Sequence, residues 1–155
     1  MTQDPIITSN MRAAIGVETK PVTHHIEEGA IKRFAQAIGD DNPIFSNEEI
    51  TNISCQRSLI APPTFLRSLE NNPPSFSFEI PYPDVLDGGS EWEYYLPVRP
   101  RDKITVISKI VDLEKKNGSL GNMLFVRMES RFDNQKDEPV ALERSTYIYY
   151  RHLSY

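Results

Sequence analysis

The chain has 155 residues, with 17 Lys and Arg against 22 Asp and Glu, one cysteine and 39% apolar residues. That length suits a single domain with a real core. The net charge of -5 argues against a nucleic-acid binder, whose affinity needs a basic surface to neutralise phosphates. A lone Cys55 closes no internal disulfide and offers no thiol cluster to a metal. The first twenty residues contain no apolar signal-peptide core, and no run approaches the roughly 18 apolar residues of a membrane span. A cytoplasmic protein without membrane contact is expected.

Residues up to about Val17 have no clear period and read as an arm. From Glu28 to Ile38, the residues Ile31, Phe34, Ala35 and Ile38 fall at i, i+3, i+4 and i+7, which makes one face of a helix. Gly39 ends that helix by accepting positive φ. The polar turn Asp40-Asp41-Asn42-Pro43 follows, and Ser46 with Glu49 forms a capping box for a short helix to about Ile53. Leu59 to Leu69 is the next helical segment, with Pro62 and Pro63 in its first turn. Asn71 to Gly89 reads as a stiff loop in which Pro73, Pro74, Pro81 and Pro83 alternate with Phe76, Phe78 and Tyr82.

The period then changes. Trp92, Tyr94 and Leu96 alternate with polar neighbours as a strand, and residues 104–111 read as a central strand with both faces partly apolar. Asn117-Gly118 signals a hairpin. Leu124, Val126, Met128 and Phe132 form one side of the next strand, and Val140 to Arg151 forms the last after a turn at 133–138. Long antiparallel strands need one face covered, and the apolar helical stripes lie upstream. The expected fold class is α+β, an antiparallel sheet wrapped around one central helix.

The stretch Gly39-Asp40-Asp41-Asn42-Pro43-Ile44-Phe45, placed after an amphipathic helix, resembles the G-D-x-N-P-x-H signature of the MaoC-like dehydratase family, the hotdog-fold (R)-specific enoyl-thioester hydratases. Leu59-Ile60-Ala61-Pro62-Pro63-Thr64-Phe65 is similar to the start of the hotdog helix in the non-catalytic, N-terminal-type members. Asp87 to Tyr94 and Pro97 to Asp102 are similar to the second strand and the turn after it. The resemblance implies a hotdog that dimerises into a double hotdog and a substrate that is a CoA or acyl-carrier thioester. It implies no cofactor.

Two departures from the signature bear on catalysis. Hydration adds water across an α,β double bond, so acid–base groups must flank one bound water. Asp40 and Asn42 keep the family's positions, but the histidine position holds Phe45, which transfers no proton. His24 and His25, expected on a first strand and facing opposite ways, and His152 are the only imidazoles. Where catalytic relatives place a histidine and a glycine to stabilise the developing oxyanion, this chain has Pro62 and Pro63, which lack an N–H; Thr64 and Phe65 keep theirs. The expected role is therefore a subunit of an (R)-specific 3-hydroxyacyl-thioester dehydratase, which contributes an acyl-binding half and is completed by a catalytic MaoC-like partner. Candidate substrate-binding residues are Pro63, Thr64, Phe65, Phe76 and Phe78 for the acyl chain, and Arg99 and Arg101 for phosphate, clustered with Lys103 at a strand entry, while Arg57 and Arg67 flank the Pro62-Pro63 helix start. The alternatives are a self-sufficient homodimeric hydratase using Asp40, a hotdog acyl-CoA thioesterase, and an acyl-thioester-binding subunit without activity.

Overall fold

Side-chain alternation along four long strands builds the main layer of the protein. The computed structural model describes residues 7–46, 59–69, 76–118 and 121–151. Strands β1 (Val22–His25), β2 (Asp84–Tyr94), β3 (Lys103–Gly118), β4 (Gly121–Asp133) and β5 (Pro139–Tyr150) form one antiparallel sheet in the order β1-β3-β4-β5-β2. On β4, Leu124, Val126, Met128 and Phe132 all face the buried side. The other face carries ion pairs across the strands: Lys109 with Glu129 at 3.0 Å, then Arg144 with Glu129 and Glu93.

The buried face has two apolar clusters. In the first, Ile31 of α2 (Glu28–Ala37) and Phe65 and Leu66 of a 3-10 helix (Pro63–Leu69) pack on Ile104, Val106, Phe132, Val140 and Ala141. In the second, Met11 of α1 (Ser9–Ala13) packs on Ile110, Leu113, Leu124, Val126 and Tyr149. A polar row crosses the sheet between them. Ser108 and Ser130 share a hydroxyl hydrogen bond of 2.8 Å, and Ser130 lies opposite Glu143, which lies opposite Trp92.

Helix α2 ends as its sequence dictates. Gly39 takes φ +71, its N–H donates to Gln36 O, and the Asp40 N–H donates to Ala35 O at 2.9 Å, which satisfies the last carbonyls. The layout is the expected α+β hotdog, with the sheet packed on helices.

Four local expectations change. The Leu59–Leu69 segment is a 3-10 helix rather than an α-helix, because Pro62 and Pro63 supply no N–H and the first bond, Phe65 N–H to Pro62 O at 2.9 Å, spans three residues. The N-terminal arm contains α1, capped by Thr8. The expected loop ends early: Asp84 to Gly89 already belongs to β2, because pairing with β5 outweighs the local preference of Asp and Gly for turns. Gly88 is required there, since a Cβ would stand 2.9 Å from Thr146 O. Asn117 and Gly118, read as the hairpin turn, belong to β3 and pair with Asn122 and Gly121 of β4. The short helix after Ser46, Pro73, Pro74, Cys55, Arg57 and His152 lie outside the described residues. Among those described, no helix is long and apolar enough to cross a membrane.

Candidate functional site

The signature turn hangs from the C-terminal end of α2, and its polar groups serve the turn itself. Asp40 Oδ1 accepts from the Asn42 N–H at 3.1 Å, and Asn42 Oδ1 accepts from the Ile44 N–H at 3.1 Å. Asn42 thereby caps a 3-10 helix (Pro43–Phe45) that places the Phe45 ring in the interior at 8% exposure. The position where the family signature has a proton-transferring histidine is thus occupied by a buried phenyl group.

The chain's own described imidazoles are remote from this turn. His24 and His25 end β1 just before α2, whereas Asp40 follows the helix's other end. Ten helical residues span about 15 Å, far beyond the reach of one bridging water. His24 and His25 instead line a separate groove of about 410 Å³ with Arg33, Phe34 and Phe65.

The helix start at Pro62 offers little to an oxyanion. Two of the four residues from Pro62 to Phe65 lack an N–H, and Phe65, expected to keep its amide for a ligand, spends it on Pro62 O. Thr64 is exposed and lines a groove of about 720 Å³ with Phe34, Ile38, Arg67, Trp92 and Tyr94. Pro63 borders a smaller slot of about 190 Å³ walled by Leu66, Tyr94, Tyr95 and Leu96. Phe65 is buried and meets Phe34 edge-on at 5.4 Å. The larger groove therefore combines aromatic and aliphatic walls with a few polar groups, Thr64, Arg67, Ser68 and Ser90.

Other candidates lie apart from this groove. Phe76 and Phe78 stack at 5.2 Å, and Phe76 meets Tyr149 edge-on at 6.0 Å, so both belong to the second apolar cluster. Arg99 and Arg101 lie in a tight turn. The Arg99 N–H donates to Asp102 Oδ2 at 2.7 Å, and Arg101, at φ +73, donates its N–H to Ile26 O.

The sequence reading missed one feature of the groove floor. Arg67 turns inward, with Nη1 donating to Glu143 Oε1 at 3.0 Å and Nη2 to Asp87 Oδ2 at 3.4 Å. Glu143 is 1% exposed. The alternation of β5 carried the signal, since Ala141, Glu143, Ser145, Tyr147 and Tyr149 share one face and a carboxylate among them needs a buried cation. Burial, and then the Glu143 charge, raises the Tyr94 hydroxyl above the usual tyrosine range. On the opposite face, hydrogen bonds from Arg144 and then Tyr95 hold the Glu93 carboxyl below its ordinary range.

The comparisons with known proteins show the family and the fold. A family model described as the FAS1-like dehydratase domain region matches residues 13–143. The chain belongs to that family. Its fold is that of the MaoC-like hotdog, as in the MaoC-like dehydratase of Rhodospirillum rubrum, which superposes with a TM-score of 0.70 at 22% identity over 91% of this chain and 95% of that one. A UPF0336 protein of Streptomyces coelicolor is 33% identical over 94 residues, covering 57% of this chain and 63% of that protein, so the match spans less than two thirds of that relative. Among solved structures, the ChsH1-ChsH2 complex of Mycobacterium tuberculosis superposes with a TM-score of 0.77 at 19% identity, over 95% of this chain and 90% of that one. The HadBC (3R-hydroxyacyl-ACP dehydratase) complex of the same organism gives 0.72 at 19% identity, over 87% and 96%. At these identities the likeness is one of fold.

Proposed function

We propose that this chain is the acyl-thioester-binding subunit of an (R)-specific 3-hydroxyacyl-thioester dehydratase, completed by a catalytic MaoC-like partner. One observation carries the reading: the signature's histidine position is a phenyl ring sealed in the interior, with Asp40 engaged in its own turn. The reaction places the hydroxyl of water on the β carbon of an enoyl thioester and a proton on the α carbon, or reverses this. It needs a base, an acid and donors for the thioester oxygen, and no cofactor. The turn supplies the carboxylates of Asp40 and Asp41 but no imidazole, and the Pro62–Pro63 helix start supplies very few donors.

This chain would contribute surface instead. The groove between α2, the Pro63–Leu69 helix and β2 offers Phe34, Ile38, Trp92 and Tyr94 to an acyl chain, with Thr64 among its polar lining residues. The solved neighbours named as two-component complexes fit such a division of labour. The test is hydration of crotonyl-CoA by the purified chain, alone and with a MaoC-like protein that has an intact G-D-x-N-P-x-H. Turnover only in the mixture supports the proposal. Substantial turnover by the chain alone refutes it, and CoA release from a saturated acyl-CoA would mark a thioesterase.

A further inference from the structure

The groove of about 410 Å³ beside the start of α2 gathers basic side chains that the acyl-binding reading leaves unused. His24 and His25, the last two residues of β1, line it together with Arg33 on the second turn of α2. Ile26, Phe34 and Leu69 are among its apolar walls. Gly29 makes room for the guanidinium, since a Cβ there would stand 3.0 Å from Arg33 Nη1. Among the described residues, no side chain pairs with Arg33, His24 or His25.

The nearby acids leave this cluster its basic character. Glu28 is neutralised by Lys32, one turn along α2. Glu27 also lines the groove and is exposed, one carboxylate against a guanidinium and two imidazoles. Such a set suits an oxyanion attached to a hydrocarbon. The guanidinium matches both oxygens of a carboxylate, the imidazoles add ring N–H donors, and the aromatic and aliphatic walls take the carbon chain.

This groove adjoins the larger one, because Phe34 and Ser68 line both. Thr64, the second residue of the 3-10 helix, lines the larger groove and not the basic one. Leu69, the last residue of that helix, lines the basic groove and not the larger one. At about 2.0 Å per residue, Thr64 and Ser68 stand about 8 Å apart along the helix. An acyl group whose thioester lies by Thr64 and whose chain follows the helix therefore brings its far end to His24, His25 and Arg33.

We propose, building on the acyl-binding reading above, that the His24–His25–Arg33 groove holds a carboxylate at the far end of the acyl chain. The acyl groups bound best are then those of dicarboxylic acids joined to the thioester at one end. A plain acyl thioester still enters the larger groove, so its failure to bind would defeat the functional reading. A terminal carboxylate without effect would defeat the carboxylate site alone.

Isothermal titration calorimetry compares octanoyl-CoA with the mono-CoA thioester of octanedioic acid, two ligands that differ only at the far end of the chain. Wild type should bind the octanedioyl thioester about tenfold more tightly. Arg33→Gln should abolish that preference while leaving octanoyl-CoA within about twofold, and His24→Gln/His25→Gln should reduce it. Glu27→Gln removes the one opposing carboxylate and should raise the preference about threefold, a gain that a misfolded variant cannot mimic. Circular dichroism checks the fold of each variant. Equal affinity of wild type for the two ligands overturns the proposal. So does an Arg33→Gln variant that weakens both ligands alike, the result expected of a site for a phosphate of the CoA carrier. Binding of neither ligand overturns the functional reading and the carboxylate site with it.

Discussion

The Arg67–Glu143 pair is the interaction whose removal should cost most at this site. Arg67→Met keeps most of the side chain's volume and deletes the cation, which leaves a carboxylate at 1% exposure beneath the 3-10 helix. Breaking a fully buried pair costs about 3–5 kcal/mol. Arg67 itself keeps 27% side-chain exposure and so admits some water, which lowers the expected loss to about 2–4 kcal/mol. With urea m-values of about 1–3 kcal/mol/M, the midpoint should fall by roughly 1–2 M. The chain's one tryptophan, Trp92, lies opposite Glu143 in the sheet and reports unfolding by fluorescence. The double variant Arg67→Met/Glu143→Leu should recover most of the loss, since apolar replacement of both partners is often neutral. A loss below about 0.5 kcal/mol in Arg67→Met, or a double variant as unstable as the single, would refute this reasoning.

Two further outcomes follow from the same geometry. Phe45→His should cost about 1–3 kcal/mol in urea unfolding, because it buries a polar ring. It should add no crotonyl-CoA hydration, because Pro62, Pro63 and the committed Phe65 amide still leave the oxyanion poorly met; a gain in turnover would count against that account. Burial pushes the Tyr149 hydroxyl up to about 12, with the neighbouring Tyr147 adding to it. Its folded pKa exceeds the unfolded value near 10, so stability should fall between about pH 10 and 12, by up to about 3 kcal/mol. Tyr149→Phe should flatten that decline, and an unchanged alkaline profile would contradict the assignment.

The sequence made α2 legible because Ile31, Phe34, Ala35 and Ile38 repeat at helical spacing and Gly39 provides the stop. The inward face of β4 was equally plain from alternation, whereas β5 was legible as a strand without its inward face being assigned. What stayed hidden depended on distant partners. Asp84 to Gly89 has the composition of a turn and becomes a strand only because β5 supplies its hydrogen bonds. Pro62-Pro63 reads as a helix start, but the choice of 3-10 over α follows from which amides remain after both N–H groups are lost. At the site, the loss of the histidine could be read directly from Phe45, whereas the groove walls could not, since Phe34, Thr64 and Trp92 lie on three separate elements. Grouping Phe76 and Phe78 with Phe65 followed from apolar side chains on a proline-stiffened stretch, and the fold places them in two different clusters.

The sharpest test of the division of labour is Asp40→Asn assayed in the assembled two-component enzyme. Asparagine still offers an oxygen to the Asn42 N–H, so the turn is retained while the acid–base group is removed. A chain that binds the acyl group and transfers no proton predicts kcat within about twofold of wild type, while the same change at the partner's signature aspartate abolishes turnover. A fall of about a hundredfold or more from Asp40→Asn alone would show that this carboxylate takes part in the chemistry and would contradict the account.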